Sequence, residues 1–345
     1  MSPSKHWAAC AAVVLVAGCA TSRAPDACNR ACLGSLLDTY LNAIIAHDPG
    51  KAPLAVGFRQ TVNAINVAPG KGVWQSVTAL GDVQRKYFDP VSGQAGYYGT
   101  LKEGAETPIV TIRLRVENRE ITEAEWYVAR ANDPGLGGPR QPGRPPANNH
   151  NPEYLARNPP PQRVVPPGKR VDRAALIRIA DSYFDAITSH DRSVAQVYEG
   201  CGRAENGSPT PAGAFLPPLP RANPPGGPTP APVPGAGGQG LASRDCLAGM
   251  ENFNASMVAA RRIPLVDEEA QIVLAFGVFI RKPGSPTPRN VASWWFVIDD
   301  AKIRVAYTAM FYPPPELPVP GWPAQGSNGN WPLPATMVPA PAAAR

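Results

Sequence analysis

One phrase occurs twice in this chain. "YLNAIIAHD" begins at Tyr40 and "YFDAITSHD" at Tyr183, 143 positions later, with Tyr, Ala, Ile, His and Asp at matching places. Around the first phrase, Leu33, Leu36, Leu37, Tyr40, Leu41, Ile44 and Ile45 recur at helical spacing. Around the second, Leu176, Ile179, Ala180, Tyr183, Phe184 and Ile187 do the same. Each run predicts a helix with one apolar stripe that stops at His-Asp. The first is followed by Pro49, which cannot continue the helical bonding, and the second by Arg192.

The repetition extends to strands. "IVTIRLRV", from Ile109, puts Ile112, Leu114 and Val116 on one side and Arg113 and Arg115 on the other; "ENRE" follows, and "ITEAEWYV" alternates again. "VASWWFVI", "DDAK" and "IRVAYTAM" repeat the arrangement in the second copy. Each set predicts a hairpin of half-buried strands closed by a four-residue loop. The hairpins (Val116 to Ile298) lie 182 apart, so the second copy carries 39 extra residues between helix and hairpin.

The Pro/Gly-rich stretch 208–240 supplies most of that excess. Its composition cannot bury a core, and it is expected to be a flexible, extruded insert. The 43 prolines of the chain also cluster between Ala131 and Gly168 and after Pro313, as an expected linker and tail of polyproline-II character. The resulting organisation is a first domain at 28–130, a linker at 131–170, a second domain at 171–312 and a disordered tail at 313–345. One helix followed by strands that end in a long hairpin is an α+β unit.

The N-terminus concerns the compartment. Lys5 and His6 precede "WAACAAVVLVAG", an apolar run too short for a membrane span and typical of an export signal. It closes on "LVAGC", which resembles the lipobox of bacterial lipoproteins. The resemblance implies that residues 1–18 are removed, that Cys19 becomes the lipid-bearing first residue, and that the protein is anchored in the cell envelope. Ala20 after the cysteine, in place of Asp, implies the periplasmic face of the outer membrane. A soluble secreted protein cut near Ala20 is the alternative. The net charge is +6, but the basic residues are scattered, so nucleic acid is not an expected partner.

Once Cys10 leaves with the signal and Cys19 takes lipid, Cys28, Cys32, Cys201 and Cys246 remain. An even set in an exported protein points to two disulfides. Zinc would need more ligands at close spacing, and neither cysteine pair has a neighbouring histidine. Cys201–Cys246 would close a loop over the insert. Cys28 and Cys32 are four apart, a spacing at which a rigid helix directs side chains poorly for bridging, so they are expected to pair only in a frayed segment.

The pattern "YxxAxxxHD" together with the strand set resembles the NTF2-like (SnoaL-like) superfamily of cone-shaped domains. The tandem exported form resembles a poorly characterised family of two-domain SnoaL-like proteins. The resemblance covers 28–130 and 171–312. It implies two cones, each a helix packed on a curved antiparallel sheet around a pocket, with no cofactor required. That fold hosts enzymes, binding modules and structural partners alike.

His47-Asp48 and His190-Asp191 have two readings. One is a general base with an orienting acid; the other is a helix ending in which His faces the helix dipole and Asp opens the next turn. Capping is favoured, because adjacent side chains at a helix end diverge. Tyr40 and Tyr183 lie on the core stripes. They resemble the helix tyrosine that donates to the oxyanion in ketosteroid isomerase, although a buried Tyr bonded to a carbonyl is the commoner case. "CGRAENG" places Arg203 and Glu205 where "FRQTVNA" has Arg59 and Val62. Glu205 resembles the pocket acid of superfamily enzymes; alternatively it ends a surface strand. Asp267, Glu268 and Glu269 either form a second acidic rim or a solvated face. Trp294 and Trp295 must project to opposite sides of their strand.

Two functions remain open at this stage. One is a lipid-anchored module that binds a small apolar or aromatic molecule or serves as a scaffold. The other is a cofactor-free acid/base lyase, dehydratase or isomerase using Glu205, Tyr183 and Asp267 in the second domain.

Overall fold

A computed structural model describes residues 28–143, 146–210, 245–248 and 255–313. The expected export signal, Cys19, most of the 208–240 insert and the tail beyond residue 313 lie outside the described residues. The first unit runs α1 (Arg30–Ile45), β1 (Leu54–Val62), β2 (Ile65–Asn66), α2 (Val73–Ser76), β3 (Ala79–Asp89), β4 (Gln94–Lys102), β5 (Ile109–Glu117) and β6 (Glu120–Ala129). A short α3 (Pro152–Arg157) follows. The second unit runs α4 (Arg173–Ser189), β7 (Val197–Glu205), β8 (Ser208–Pro209), β9 (Ala255–Asp267), β10 (Ile272–Arg281), β11 (Arg289–Asp299) and β12 (Lys302–Phe311).

Both long helices begin on side-chain caps: Asn29 accepts from the Cys32 amide and Asp172 from the Ala175 amide. Both end where a histidine turns left-handed, His47 at φ 56° and His190 at φ 57°. The stop is the same before Pro49 and before Arg192, so the left-handed residue ends the helix and the proline is not needed. Asp48 and Asp191 then accept from the Gly50 and Ser193 amides, each at 2.9 Å, and open the following 3-10 turns. The repeated His-Asp is a helix ending.

The fold is α+β, with two six-stranded sheets of identical order, β2-β1-β6-β5-β4-β3 and β8-β7-β12-β11-β10-β9. The sheets are not purely antiparallel as expected. β1 runs parallel to β6, and β7 parallel to β12. A parallel neighbour needs a long crossover, which the intervening strands of each unit provide. The expected four-residue hairpin loops are tighter than the sequence pattern implied. Glu117 pairs with Glu120 and Asp299 with Lys302, leaving Asn118-Arg119 and Asp300-Ala301, all at positive φ, as two-residue turns. The 208–240 insert also begins later than expected, because Ser208 and Pro209 pair with β7 as β8.

The layers stack as helix, sheet, sheet, helix. One apolar core lies under α1, a second lies under α4, and a third fills the space between the sheets. In that third core Trp295 packs on Tyr87 and Tyr98 of the first unit, and its indole N–H donates to Thr111 at 2.9 Å. Two reciprocal clasps close the interface. Arg30 donates to both Asp267 oxygens (2.9 and 2.7 Å), and Arg173 donates to both Asp89 oxygens (2.9 and 2.6 Å). Each aspartate also takes an amide from the strand opposite, Asp267 from Phe88 and Asp89 from Val266.

The segment 131–170, expected to be a flexible spacer, is bonded to both units. Its α3 buries Leu155, Gln162 exchanges hydrogen bonds with Lys86, and Tyr87 donates to the Pro161 carbonyl. Arg163 donates to Asp299 and to the Ala270 and Ile298 carbonyls. Proline-rich composition here gives an extended strap, with its polar groups satisfied by the sheets it crosses.

Candidate functional site

The interior of the second unit, between α4 and its sheet, gathers most of the chemistry that sequence reasoning singled out. β7 alternates, so Cys201, Arg203 and Glu205 share the face turned toward α4. Cys201 is bridged to Cys246, Cα–Cα 5.2 Å. The bridge sets the Cys246 carbonyl where it accepts from the Tyr183 hydroxyl at 2.8 Å and from Arg203 Nη1 at 3.3 Å. Arg203 Nε lies 3.3 Å from a Glu205 oxygen and 2.9 Å from the Thr210 hydroxyl. Burial drives the Tyr183 pKa upward, only partly offset by Arg203, and the hydroxyl stays protonated. For Arg203 the cost of burial is outweighed by Tyr183, Glu205 and Asp245, so its guanidinium stays charged.

The same face continues across the sheet. Thr308 pairs with Glu205 on one side and with Trp294 on the other. Trp294 stacks between Phe279 (5.7 Å) and Phe296 (6.0 Å) and leans on the Tyr183 ring at 5.3 Å. Two residues beyond Phe279, Arg281 lies over the Tyr312 ring and donates to Asn290 at 2.5 Å. Three buried polar atoms on this face have no hydrogen-bond partner among the described residues: the Trp294 indole nitrogen, the Thr308 hydroxyl and Arg281 Nε. Buried polar groups are rarely left so, and several facing one interior mark a place where a ligand or water completes them.

Asp267 is not part of this group. It lies on the far edge strand, four strand steps from β7 and about 19 Å away along the sheet. It is fully buried against Arg30, and Glu269 lies 3.4 Å from the same arginine. The acidic run is thus half of an inter-unit clasp, and Asp267 does not reach the surroundings of Tyr183. Tyr183 and Glu205 do come together, with Arg203 between them, each held by a partner within the unit. The tryptophan pair divides as alternation requires, Trp294 under α4 and Trp295 toward the first unit. His47 bonds the Trp74 carbonyl through Nδ1 at 2.6 Å.

The first unit's interior differs. The strand pairings place Gln60 opposite Ala124 and Arg203 opposite Ala306, so Gln60, and not Arg59, is the counterpart of Arg203. The Gln60 side-chain oxygen accepts from Tyr40 (2.8 Å) and from the Trp74 indole (2.9 Å), while Trp126 donates to the Tyr40 oxygen at 3.0 Å. Tyr40, Trp74 and Trp126 are fully buried and fill the space.

Sequence reasoning missed Arg281, Thr308 and Tyr312. Their signal was available in the repeat itself, because each stands where the first copy has a different kind of residue. Cys28–Cys32 is bridged (Cα–Cα 5.3 Å), though not through fraying. Cys28 precedes the Asn29 cap, outside the helix, where the chain is free to turn its sulfur back onto Cys32 in the first turn.

Among the described residues no three His, Cys, Asp or Glu side chains come together as metal ligands, and no helix is long and apolar enough to cross a membrane. No curated protein matches the chain. Residues 169–310, from just before α4 to the end of β12, match the model of a domain of unknown function, DUF8021.

Proposed function

We propose that this is an exported, lipid-anchored protein of two NTF2-like units whose second unit binds a small aromatic or otherwise apolar molecule between α4 and the sheet. The observation that carries the reading is the set of unpartnered donors at Trp294, Thr308 and Arg281, on one aromatic-walled face beside the Arg203–Glu205 pair. Ligand sites combine apolar walls with a few convergent polar groups in this way. The first unit, filled by Trp74 and Trp126, supports the second as a packed scaffold. Anchoring rests on "LVAGC" at Cys19.

Binding is favoured over acid/base catalysis because Tyr183 donates to Cys246 and Glu205 faces Arg203, while Asp267 is held elsewhere. A thermal-shift and calorimetric screen of small aromatic alcohols, ketones, lactones and acids tests the reading on wild type, Glu205→Gln, Tyr183→Phe and Tyr40→Phe. Ligand-dependent stabilisation that weakens in the two second-unit variants and persists in Tyr40→Phe is expected. The reverse pattern would place the site in the first unit. Turnover of any compound that Glu205→Gln abolishes would replace binding with catalysis. Cys19→Ala is expected to release the protein from the membrane fraction.

A further inference from the structure

The two copies can be aligned residue by residue, and the alignment bears on charge. Gly99 pairs with Val110 and Gly277 with Ala292, while Ile109 pairs with Ala129 and Val291 with Phe311. Counting on from these pairs, Arg281 occupies the position of Glu103, and Tyr312 that of Arg130. In the first unit those two positions neutralise each other: Arg130 donates to both Glu103 oxygens, at 2.6 and 2.8 Å. In the second unit the acid has become a guanidinium and the guanidinium a phenol.

Arg281 has no ion-pair partner among the described residues. It touches the Asn290 amide oxygen and the Tyr312 ring, and the Glu205 carboxylate lies against Arg203. Two interior guanidinium groups therefore face Glu205, and Asp245, the other carboxylate near Arg203, is ion-paired with Arg192. A buried charge without a counter-ion is costly, and an anion that enters can remove that cost. Trp294, Thr308 and Arg281 are 1%, 0% and 6% exposed, so the unpartnered donors are interior groups and not surface ones.

Resting on the binding reading above, we infer that the second unit takes an aromatic carboxylate. Its carboxylate lies at Arg281 and its ring lies along the Trp294–Phe279 wall. The Trp294 N–H and Thr308 hydroxyl are the remaining donors on that face. A planar guanidinium and a carboxylate match in geometry, and an aromatic wall discriminates against inorganic anions of the same charge.

Calorimetric titration of the purified full chain with benzoate, cinnamate and indole-3-acetate, each against its methyl ester, tests this. The acids are expected to bind at least about tenfold more tightly than their esters, the scale of one charge-assisted hydrogen bond. Arg281→Met is expected to abolish that preference, Arg281→Lys to retain part of it, and Tyr40→Phe to leave it unchanged. Circular dichroism checks the fold of each variant, and the lysine variant decides if the methionine variant does not fold. Esters that bind as well as acids, or an undiminished acid preference in the Arg281 variants, would overturn the inference and leave the binding reading standing. A panel in which no acid, ester, alcohol or ketone binds would overturn both.

Discussion

Among the described residues the first unit's interior leaves one buried side-chain atom without a partner, Gln60 Nε2, and the second unit's leaves three, although the same frame encloses both. In the first, Trp126 and Trp74 meet at Tyr40 and Gln60, and Glu103 neutralises Arg130. In the second, Thr308 stands in place of Trp126, Arg203 in place of Gln60, and Arg281 faces Tyr312. Trp74 comes from α2, and the corresponding part of the second unit is the Pro/Gly-rich insert. The features that did not diverge are structural: the left-handed histidine endings, the two-residue hairpin turns and the reciprocal Arg–Asp clasps. The frame is common to both units, and the polar and aromatic residues inside it are what differ.

Removing the plug tests this contrast most severely. Trp74→Ala is expected to cost about 5 kcal/mol, at the upper end for a buried Trp because the indole also satisfies Gln60. Denaturant unfolding measures it. A loss under about 1 kcal/mol would mean that the first interior is not packed around this ring, and the distinction between the units would collapse.

Much of this frame was legible in the sequence. Helical spacing located both helices and strand alternation located both hairpins, since these patterns reflect faces buried within one element. The site was legible only in part, for two physical reasons. Asp267 has the appearance of a rim acid in its local sequence, and its partner Arg30 lies 237 residues away. No local pattern encodes that contact. The second reason is register: Glu205 is correctly matched to Val62, but matching Arg203 to Arg59 in place of Gln60 is off by one residue and compares side chains on opposite faces of the strand. Arg281 stands out in the repeat once its register is aligned as the strand pairing has it, with Glu103 at the same place in the first copy.

The disulfides offer a second comparison. Replacing Cys201 and Cys246 by Ala removes a 45-residue cross-link and is expected to cost up to about 4 kcal/mol by loop entropy. The bridge Cys28–Cys32 spans four residues, and its removal is expected to cost about 2 kcal/mol. The first replacement should also weaken ligand binding, because the Cys246 carbonyl holds Tyr183 and Arg203. Equal losses from the two replacements, measured by urea titration, would contradict the assignment of Cys201–Cys246 as the clamp of the site.

The clasps should behave alike where the interiors do not. Asp89→Asn and Asp267→Asn are each expected to cost about 2 kcal/mol, discounted from a fully buried pair because both arginines are partly exposed. A difference above about 1.5 kcal/mol would break the two-fold comparison. Burial alone would raise the Asp89 pKa, but Arg173, Ser92 and the Val266 amide outweigh it and hold it below the usual carboxylate range. Its contribution is therefore complete above about pH 4, the unfolded value. It fades as pH falls through the depressed folded value. Stability measured from pH 7 to pH 2 should lose this increment in wild type, and Asp89→Asn should flatten that part of the curve.

The smallest expected effect concerns the phrase that announces the repeat. If His47 and His190 end helices, glycine should serve there, since it takes the left-handed conformation without a Cβ penalty. His190→Gly is expected to change stability by less than about 1 kcal/mol, in the stabilising direction where relief of backbone strain dominates. His47→Gly gains the same relief and gives up the bond to the Trp74 carbonyl, so its net change should also stay within about 1 kcal/mol. Ligand affinity should move less than about twofold in either variant, within the scatter of surface substitutions. Abolished binding in His190→Gly with the fold intact would return the His-Asp pair to chemistry. A fold that tolerates glycine at both positions, with binding unchanged, leaves the repeated His-Asp as the mark of one helix ending copied twice.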